Sequence, residues 1–321
     1  MLAKSVSVVI PTYNGLSLLA KNLPPLLAAL AGHAASVEII VVDDAGNDDT
    51  PVFLREHFPN VTVIVNASNL GFAKSVNKGI FASRHEIVLA LNNDVTVTVD
   101  LLAKALNWFH DPLVFSVTPN MVDQRHGKSQ AITRLKPGIC WFNALHLQPS
   151  DLGDLQGEIP LFFASGGASF YDREKLILLG GFDPIYHPFY VEDLDLSYRA
   201  WKAGWKCLME PGTIVYHETS STIGSLHKKR KIKFIGDRNR TLFLWLNITD
   251  VSMITRYFLF LPFSLLYDLV AFRKYKFLGF FSAMVYLPRI MELRTKRKKL
   301  FKVRDRDVLM TIGLSGPPRG K

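Results

Sequence analysis

The chain has 321 residues, 48% of them hydrophobic, which excludes a disordered protein and allows one large or two modest domains with a core. Its net charge of +10 is unevenly spread: residues up to Ser225 carry 16 Lys/Arg against 22 Asp/Glu, or −6, and the last 96 residues carry 22 against 6, or +16. Two cysteines, Cys140 and Cys207, are too few for a disulfide framework or a zinc cluster, and the absence of a signal-peptide pattern indicates a reducing, cytoplasmic location.

Short β-branched runs alternate with helix-like segments from residue 5 to about 118. Continuous apolar runs of this kind are typical of strands in a mostly parallel, doubly wound sheet with helices on both faces. The predicted strands cover 5–10, 38–44, 61–65, 86–91 and 113–118, and the predicted helices cover 21–31, 49–58, 72–83 and 101–109.

Polar side chains stand where four of these strands end. In open parallel sheets, ligands bind beyond the carboxyl ends of the strands. Turn chemistry explains any one of these strand ends, but four in series predict a binding crevice. The residues are Pro11, Thr12 and Asn14 after the first strand, Asp43 and Asp44 after the second, Asn66 and Asn69 after the third, and Asn92, Asn93 and Asp94 after the fourth.

No G-x-G-x-x-G segment follows the first strand, so the sequence lacks the usual cradle for dinucleotide phosphates. A nucleotide bound here needs another way to neutralise its phosphates. Mg²⁺ or Mn²⁺ takes carboxylate oxygens and can bridge diphosphate oxygens. Asp94, at the end of a rigid apolar strand, is therefore the predicted metal ligand.

Four segments, in this order and spacing, resemble the family 2 glycosyltransferases with the GT-A fold: VSVVIPTYNG, EIIVVDDAGND, NLGFAKSVNKGI and LALNNDVTV. The resemblance is greatest to bacterial rhamnosyltransferase-like members that build cell-surface polysaccharide, and it extends to about residue 225. It implies an α/β GT-A domain over 1–225, Rossmann-like, with a mostly parallel central sheet flanked by helices. It also implies that a sugar, rhamnose as the first expectation, moves with inversion from a dTDP- or UDP-linked donor to a lipid-linked saccharide, as in O-antigen-like synthesis.

The resemblance assigns roles to individual residues. Asp44 is expected to hydrogen-bond the base, and Asp94 matches the last position of the D-x-D motif that holds the metal. Here that motif reads Asn92-Asn93-Asp94, so one carboxylate remains. His217 is expected to complete the metal site or contact the diphosphate, although a histidine after a strand is often structural. The nucleotide-binding set is Pro11, Thr12, Asn14, Asp44, Asn69 and Asn93.

A second group of residues is predicted from its chemistry to contact the diphosphate or the acceptor. Gly166 and Gly167 allow a ligand to approach the backbone closely, or equally allow a tight sheet crossing. The Ser221 hydroxyl can donate to phosphate oxygens, and Arg238 and Arg240 can add positive charge.

Glu192 and Asp193 open a predicted helix. Helix N-termini favour carboxylates, so capping alone is one explanation. The other is general-base catalysis, in which one carboxylate removes a proton from an acceptor hydroxyl. The resemblance gives the base role to Asp193 and has Glu192 orient the acceptor.

The basic region 226–321 contains two apolar segments, 257–272 and 277–291, flanked by clusters of Lys and Arg. Each segment is shorter than the roughly 20 residues of a bilayer span, and each contains proline. The pattern favours amphipathic helices on the inner face of the cell membrane, where anionic lipids attract Lys and Arg. The alternative is a helical unit that packs on the main domain or forms a homodimer contact.

Two other functions fit parts of the sequence. A processive polysaccharide synthase would share the fold, but the Q-x-x-R-W signature and long membrane spans are missing from the sequence. A non-catalytic GT-A shell that serves as a membrane or nucleic-acid adaptor would suit the basic tail. The spacing of Asp44, Asp94 and the Glu192–Asp193 pair argues against it, so no nucleic-acid partner is expected.

Overall fold

The computed structural model describes residues 3–137, 142–152, 157–218 and 228–313. The predicted alternation of strands and helices is confirmed through the first 91 residues. The first helix begins at Leu16, five residues before its predicted start, and contains Pro24 and Pro25. The elements are β1 (Val6–Thr12), α1 (Leu16–Leu30), β2 (Val37–Asp43), α2 (Thr50–His57), β3 (Thr62–Val65), α3 (Phe72–Ala82) and β4 (Ile87–Leu91).

The second half of the sheet region is less regular. The helix predicted over 101–109 is split into a short α-helix and a 3₁₀ segment, Leu106–His110. The elements are β5 (Val95–Val97), α4 (Leu101–Ala105), β6 (Val114–Asp123), β7 (Thr133–Pro137), β8 (Phe142–His146), β9 (Ile159–Pro160), β10 (Ala168–Asp172), α5 (Arg173–Leu178), α6 (Glu192–Lys202) and β11 (Lys206–His217).

Among the described residues, nine strands form one sheet in the order β3-β2-β1-β4-β10-β6-β11-β5, with β9 beside β11, and β7 and β8 form a separate hairpin. The first four strands are parallel, as predicted. The sheet as a whole is mixed, because β10 runs antiparallel between β4 and β6, and β5 runs antiparallel to β11. The carboxyl ends of β1, β2 and β4 therefore meet at one edge.

Alternate residues of the strands enter two apolar layers, one on each face of the sheet. Val8 and Leu89 pack with α1 on one face, while Val9 and Val88 pack with α3 on the other. This alternation follows from the two-residue period of a strand. It explains why the strands read as continuous apolar runs in the sequence.

Five helices follow: α7 (Lys229–Asn247), α8 (Val251–Val270), α9 (Lys274–Met284), α10 (Leu287–Lys298) and α11 (Asp305–Ile312). Leu242, Ile290 and Val308 from these helices belong to the same buried layer as Leu196 of α6. The Lys202 ammonium also pairs with Asp305 at 2.9 Å, with both side chains buried. One face of the C-terminal region therefore packs on the main domain, and the predicted boundary at residue 225 remains a prediction.

The expectation that the apolar segments are too short to span a bilayer was wrong for the first of them. The helix α8 begins at Val251, six residues before the apolar segment, and continues through Pro262 for 20 residues. In the described part of the chain it is the one helix long and apolar enough to cross a membrane, and 6% of that stretch is buried. Soluble core helices pass the same length test, but they are mostly buried.

Candidate active site

The ends of β1 and β4 meet through their side chains, as predicted. The Asn93 amide donates to Thr12 Oγ1 at 2.7 Å. Asn14 has a positive φ of 51°, and its Oδ1 accepts from the backbone N–H of Asn47 at 2.6 Å. Gly15 lies so close to Thr12 and Asn93 that a Cβ atom would collide with both side chains. The four residues form a tight polar corner.

Asp44, which follows β2, holds the loop that leads to α3. Its Oδ1 accepts from the Asn66 amide and from Leu70 N, and its Oδ2 accepts from Gly71 N, each at 2.8 Å. Three donors fix the carboxylate, so it shapes one wall of the strand-end crevice. Asn69, in the same loop, is exposed to solvent.

The neighbouring Asp43 has an acceptor atom that sequence reasoning did not single out. Its Oδ2 accepts from Gly46 N at 3.2 Å, while its Oδ1 is buried without a donor among the described residues. Burial raises the pKa of this carboxyl, and the charges of Asp48 and Asp44 add to the effect. A buried acceptor without a donor favours an N–H or O–H group from a ligand. The Asp43-Asp44 doublet was the available sequence signal.

The predicted metal ligands Asp94 and His217 lie close together. Asp94 directly precedes β5, and His217 is the last residue of β11, which pairs with β5. His217 Nε2 lies 3.4 Å from Asp94 Oδ1, and this oxygen is buried without a hydrogen-bond partner among the described residues. On the far side of the ring, His217 Nδ1 lies 2.9 Å from Gln130 Oε1. Gln130 is a residue that no sequence pattern pointed to.

These contacts fit a divalent cation. The Gln130 oxygen is an acceptor, so His217 Nδ1 donates to it and Nε2 is the ring nitrogen that faces Asp94. A nitrogen and a carboxylate oxygen at 3.4 Å can share a cation or a proton. No group of three or more His, Cys, Asp or Glu that could hold a metal exists among the described residues. A metal at this pair would take its remaining oxygens from a ligand and water.

The carboxylates Glu192 and Asp193 form the first turn of α6, immediately after Val191, whose φ is 82°. Burial, followed by the charge of Asp193, raises the pKa of Glu192 to about 8, and Glu192 Oε2 has no hydrogen-bond partner among the described residues. Burial also raises the pKa of Asp193, opposed by N–H donors from Leu194 and Gly166. The donors to Asp193 favour its ionised form, so Glu192 is the member that keeps a proton near neutral pH.

The segment Gly166–Gly167 connects this pair to Asp94 and His217, which together are called the metal corner below. Gly166 N–H lies near enough to the Asp193 carboxyl to hold its pKa down against burial, and Gly167 O accepts from Asn92 N at 2.8 Å, two residues before Asp94. A Cβ atom on Gly166 would contact Phe72 at 3.3 Å, and one on Gly167 would contact the Asn92 amide at 3.3 Å. A side chain at either position would have to displace its neighbour by a few tenths of an ångström, which fits the tight sheet crossing. Close approach of a ligand to these glycines remains a prediction.

A family model described as glycosyl transferase family 2 matches residues 7–179, just over half of the chain. The chain belongs to glycosyltransferase family 2. It is similar to an N-acetylglucosaminyl-diphospho-decaprenol L-rhamnosyltransferase of Mycobacterium tuberculosis, with 28% identity over 63% of this chain and 76% of the relative. It is also 31% identical to a pre-mycofactocin glycosyltransferase of the same organism, over 67% of this chain and 43% of that relative.

Solved structures support the fold of this glycosyltransferase. A mannosyltransferase from Pyrobaculum calidifontis, in complex with GDP-Man and Mn²⁺, superposes with a TM-score of 0.56 at 18% identity, over 94% of this chain and 86% of that one. At this identity the likeness shows the GT-A fold alone. The family and its relatives make the chain a transferase, so the non-catalytic shell is not pursued further.

The arginines predicted near the diphosphate of this glycosyltransferase already have protein partners. Arg238 is buried, donates to His187 O and to Asn239 Oδ1, and lies 5.6 Å from the Tyr286 ring. Arg240 is half-exposed and pairs with Asp237 at 2.9 Å. Arg238 therefore stabilises the loop before α6. Ser221 lies outside the described residues.

Proposed function

We propose that the chain is an inverting, metal-dependent glycosyltransferase that moves a sugar from a nucleoside diphosphate to a lipid-linked saccharide. The supporting observation is the Gly166–Gly167 segment, which joins the carboxylates Glu192 and Asp193 to the corner that carries Asp94. On this proposal, a base for the acceptor hydroxyl and a site for the donor's leaving diphosphate lie close together. Single displacement needs both, one on each side of the anomeric carbon.

The nucleotide is assigned to the ends of β1, β2 and β4. Pro11, Thr12, Asn14, Asn69 and Asn93 remain the predicted contacts, with Asp44 as the predicted contact to the base. We add Asp43 to this set, because its buried Oδ1, which has no donor among the described residues, can accept from a base N–H. Asp44 itself holds the loop 66–71 with three hydrogen bonds.

Asp94 and His217 are assigned to Mg²⁺ or Mn²⁺, with Gln130 holding the histidine ring. When bound, the cation would neutralise charge on the diphosphate as it leaves. Arg238 and Arg240 remain predicted to add charge near a diphosphate, although both are already hydrogen-bonded within the protein.

Asp193 acts as the general base. As the acceptor oxygen forms its bond to the anomeric carbon, the bond from that carbon to the diphosphate breaks and the hydroxyl proton passes to Asp193. One displacement inverts the configuration at that carbon. Glu192 keeps its proton near neutral pH and can donate a hydrogen bond that orients the acceptor.

The relatives support a choice of donor and acceptor. The rhamnosyltransferase that the chain resembles acts, by its name, on N-acetylglucosaminyl-diphospho-decaprenol. We therefore assign rhamnose from a dTDP- or UDP-linked donor, and an acceptor saccharide on a lipid diphosphate, within O-antigen-like polysaccharide synthesis.

The acceptor's lipid implies a membrane, and α8 offers a surface for it. Ile254, Tyr257 and Leu261 of α8 pack inward, whereas an opposite stripe is exposed. The stripe is formed by Leu259, Phe263, Leu266 and Val270, of which Phe263 is 68% exposed. Spacings of four, three and four residues keep it on one side of the helix.

The last 96 residues, which include this stripe, are rich in Lys and Arg and carry a net charge of +16. Arg273 and Lys274, just beyond α8, are exposed. Apolar stripes beside basic residues suit an anionic membrane surface. We assign the chain to the inner face of the cell membrane, as a peripheral cytoplasmic protein, with a homodimer contact as the competing use of the stripe.

Isothermal titration with UDP, dTDP and their sugar conjugates tests the proposal. We expect one nucleotide to bind wild-type protein in Mn²⁺, and Asp94→Ala to lose the Mn²⁺-dependent part. Asp193→Asn should still bind nucleotide and should lose transfer by at least about 100-fold. Metal-independent binding, or full transfer by Asp193→Asn, would refute the assignments.

A further inference from the structure

A cleft of about 640 Å³ lies beside the metal corner and the Glu192–Asp193 pair. Gln130, which lines it, orients His217 of the metal corner. Ser165, also in its lining, precedes Gly166, where a Cβ atom would lie 3.7 Å from Asp193 Cβ. The lining of the cleft therefore reaches His217 through Gln130 and adjoins Asp193 through Ser165. Its volume is within the roughly 300–1,000 Å³ of small-ligand sites.

The position of the cleft in the sheet separates it from the proposed nucleotide site. Met121 and Asp123, at the end of β6, line it. In the sheet, β10 and β4 lie between β6 and β1, and β2 is farther still. The residues assigned to the base follow β1 and β2. The cleft therefore begins at a strand that two others separate from the strands assigned to the nucleotide base, and this strand is next to β11, which ends at His217.

The inner part of the cleft combines an aromatic ring with polar groups. The Phe163 ring is partly buried and meets the His146 ring edge-on at 6.3 Å and 85°. His146 is close enough to Asp193 for its charge to lower the pKa of that carboxyl. An aromatic face can pack on the C–H face of a pyranose, while imidazole, amide and carboxylate groups bind its hydroxyls.

The rim of the cleft carries an ammonium and an imidazole. Lys128 is exposed and has no ion pair among the described residues, and the His126 side chain is 68% exposed and lies 3.0 Å from Asp123. An ammonium and an imidazole next to a sugar-sized site suit an anionic group attached to that sugar. Phosphate oxygens are strong acceptors for such donors.

We propose that this cleft is the acceptor subsite, and that it binds a pyranose carrying a diphosphate. Phe163 packs against the sugar ring, and Lys128 with His126 binds the diphosphate at the rim. This inference rests on the proposed function, which supplies the lipid-linked acceptor. It adds the residues that recognise the acceptor and the part of the acceptor that each one contacts.

Two soluble acceptors and three assays test the inference. The acceptors are N-acetylglucosaminyl diphosphate on a short alkyl chain and the matching alkyl glycoside without diphosphate. The assays are acceptor binding by titration calorimetry, transfer, and hydrolysis of the donor in the absence of acceptor. Phe163→Ala should weaken binding of both acceptors about tenfold, because stacking contributes on the order of 1 kcal/mol or more. Lys128→Ala should weaken binding of the diphosphate acceptor alone, also by about tenfold or more.

The controls are Phe81→Ala and Lys78→Ala, an exposed aromatic residue and an exposed lysine of α3 that do not line the cleft. Both should bind the acceptors as wild type does. Donor hydrolysis should be unchanged in Phe163→Ala and Lys128→Ala.

Loss of donor hydrolysis in a folded Phe163→Ala protein would overturn the subsite, because the cleft would then bind the donor sugar. Unchanged acceptor affinity in both cleft variants, or no acceptor binding by wild type, would also overturn it. Wild-type protein that binds the acceptor as expected but uses no donor would refute the proposed function and leave the subsite supported.

Discussion

Arg297 of α10 donates to Asp195 of α6 at 2.7 Å, across 102 residues of sequence. Asp195 is fully buried and also accepts from Tyr186 Oη at 2.6 Å and from Arg199 Nε at 2.8 Å. It lies two residues after Asp193. The C-terminal helices are thus joined by a buried ion pair to the helix that carries the proposed base.

Removing Arg297 should destabilise the whole protein. Arg297→Met leaves Asp195 buried without its main counter-charge, and such losses cost about 3–5 kcal/mol of unfolding free energy. Arg289→Met, on the same helix, is the control, because the Arg289–Glu292 pair is exposed and its removal should cost no more than about 1 kcal/mol. Urea unfolding of both variants measures the difference. Equal stabilities would show that the buried pair contributes nothing beyond a surface pair.

The Arg297–Asp195 ion pair should contribute less to the unfolding free energy in acid. The pKa of Asp195 is lowered to about 2, although burial opposes this, because Arg297 and Arg199 favour the carboxylate. A carboxyl whose pKa is depressed in the folded state contributes stability above its ordinary pKa near 3.8 and loses it as the pH falls towards 2. The stability difference between wild type and Asp195→Asn should therefore shrink between pH 4 and pH 2. A difference that stays constant over this window would exclude the linkage.

Sequence reasoning predicted the parts of the structure that depend on local pattern. Apolar runs located β1 to β4, and the polar residues after them located the crevice. The insertion of β10 between β4 and β6 was missed, because strand order depends on contacts between distant segments. The start of α8 was also missed, since its first turns, from Val251, are less apolar than the segment that follows.

Within the candidate site, the roles of Gln130 and Asp43 were not predicted from the sequence. Gln130 has no motif of its own, and its role is visible only once His217 lies 2.9 Å away. Asp43 and Asp44 look equivalent in sequence, yet the fold gives three donors to Asp44, while one oxygen of Asp43 has no donor among the residues that the structure describes. Hydrogen-bond satisfaction depends on tertiary packing, so it could not be predicted from the doublet.

Glu192→Gln should stabilise the protein at alkaline pH. The pKa of Glu192 is raised to about 8, so the folded state keeps a proton that the unfolded chain releases above about pH 4.5. Stability from this group is present below pH 4.5 and is lost as the pH rises through 8. The variant should therefore gain stability over wild type from pH 5 to pH 8, as measured by urea unfolding.

Glu174→Gln is the matched control, because Glu174 is in the first turn of α5 but is exposed. It should show no such gain. Transfer by Glu192→Gln should remain within about tenfold of wild type, since the amide can still donate a hydrogen bond. A loss as large as that of Asp193→Asn would instead assign the base to Glu192.

Gln130→Leu should weaken the metal site without removing a ligand. The leucine cannot accept from His217 Nδ1, so the ring loses its fixed orientation, and second-sphere losses of this kind cost about 10- to 100-fold in metal affinity. Titration of the bound nucleotide at several Mn²⁺ concentrations measures the effect. Gln124→Leu, an exposed residue of the preceding turn, should behave as wild type. Retention of full Mn²⁺ affinity by Gln130→Leu would mean that His217 does not ligate the metal.

The exposed stripe of α8 should bind anionic membranes. Replacing Leu259, Phe263 and Leu266 by serine removes three apolar side chains that would each contribute about 1.5–3 kcal/mol when buried in lipid. Sedimentation with phosphatidylglycerol-rich vesicles should therefore fall by more than about tenfold for the triple variant. Binding of wild type should also decrease as salt is raised, because the basic residues contribute.

The control replaces three apolar residues that are exposed elsewhere, Phe81, Val99 and Leu178, by serine, and it should bind vesicles as wild type does. Analytical ultracentrifugation distinguishes the competing use of the stripe. If wild type is a dimer, the α8 variant is a monomer and neither binds vesicles, the stripe is a contact between two copies of the chain. Vesicle binding that the α8 substitutions abolish in a monomeric protein would assign the stripe to lipid, because no second copy is then available to cover it.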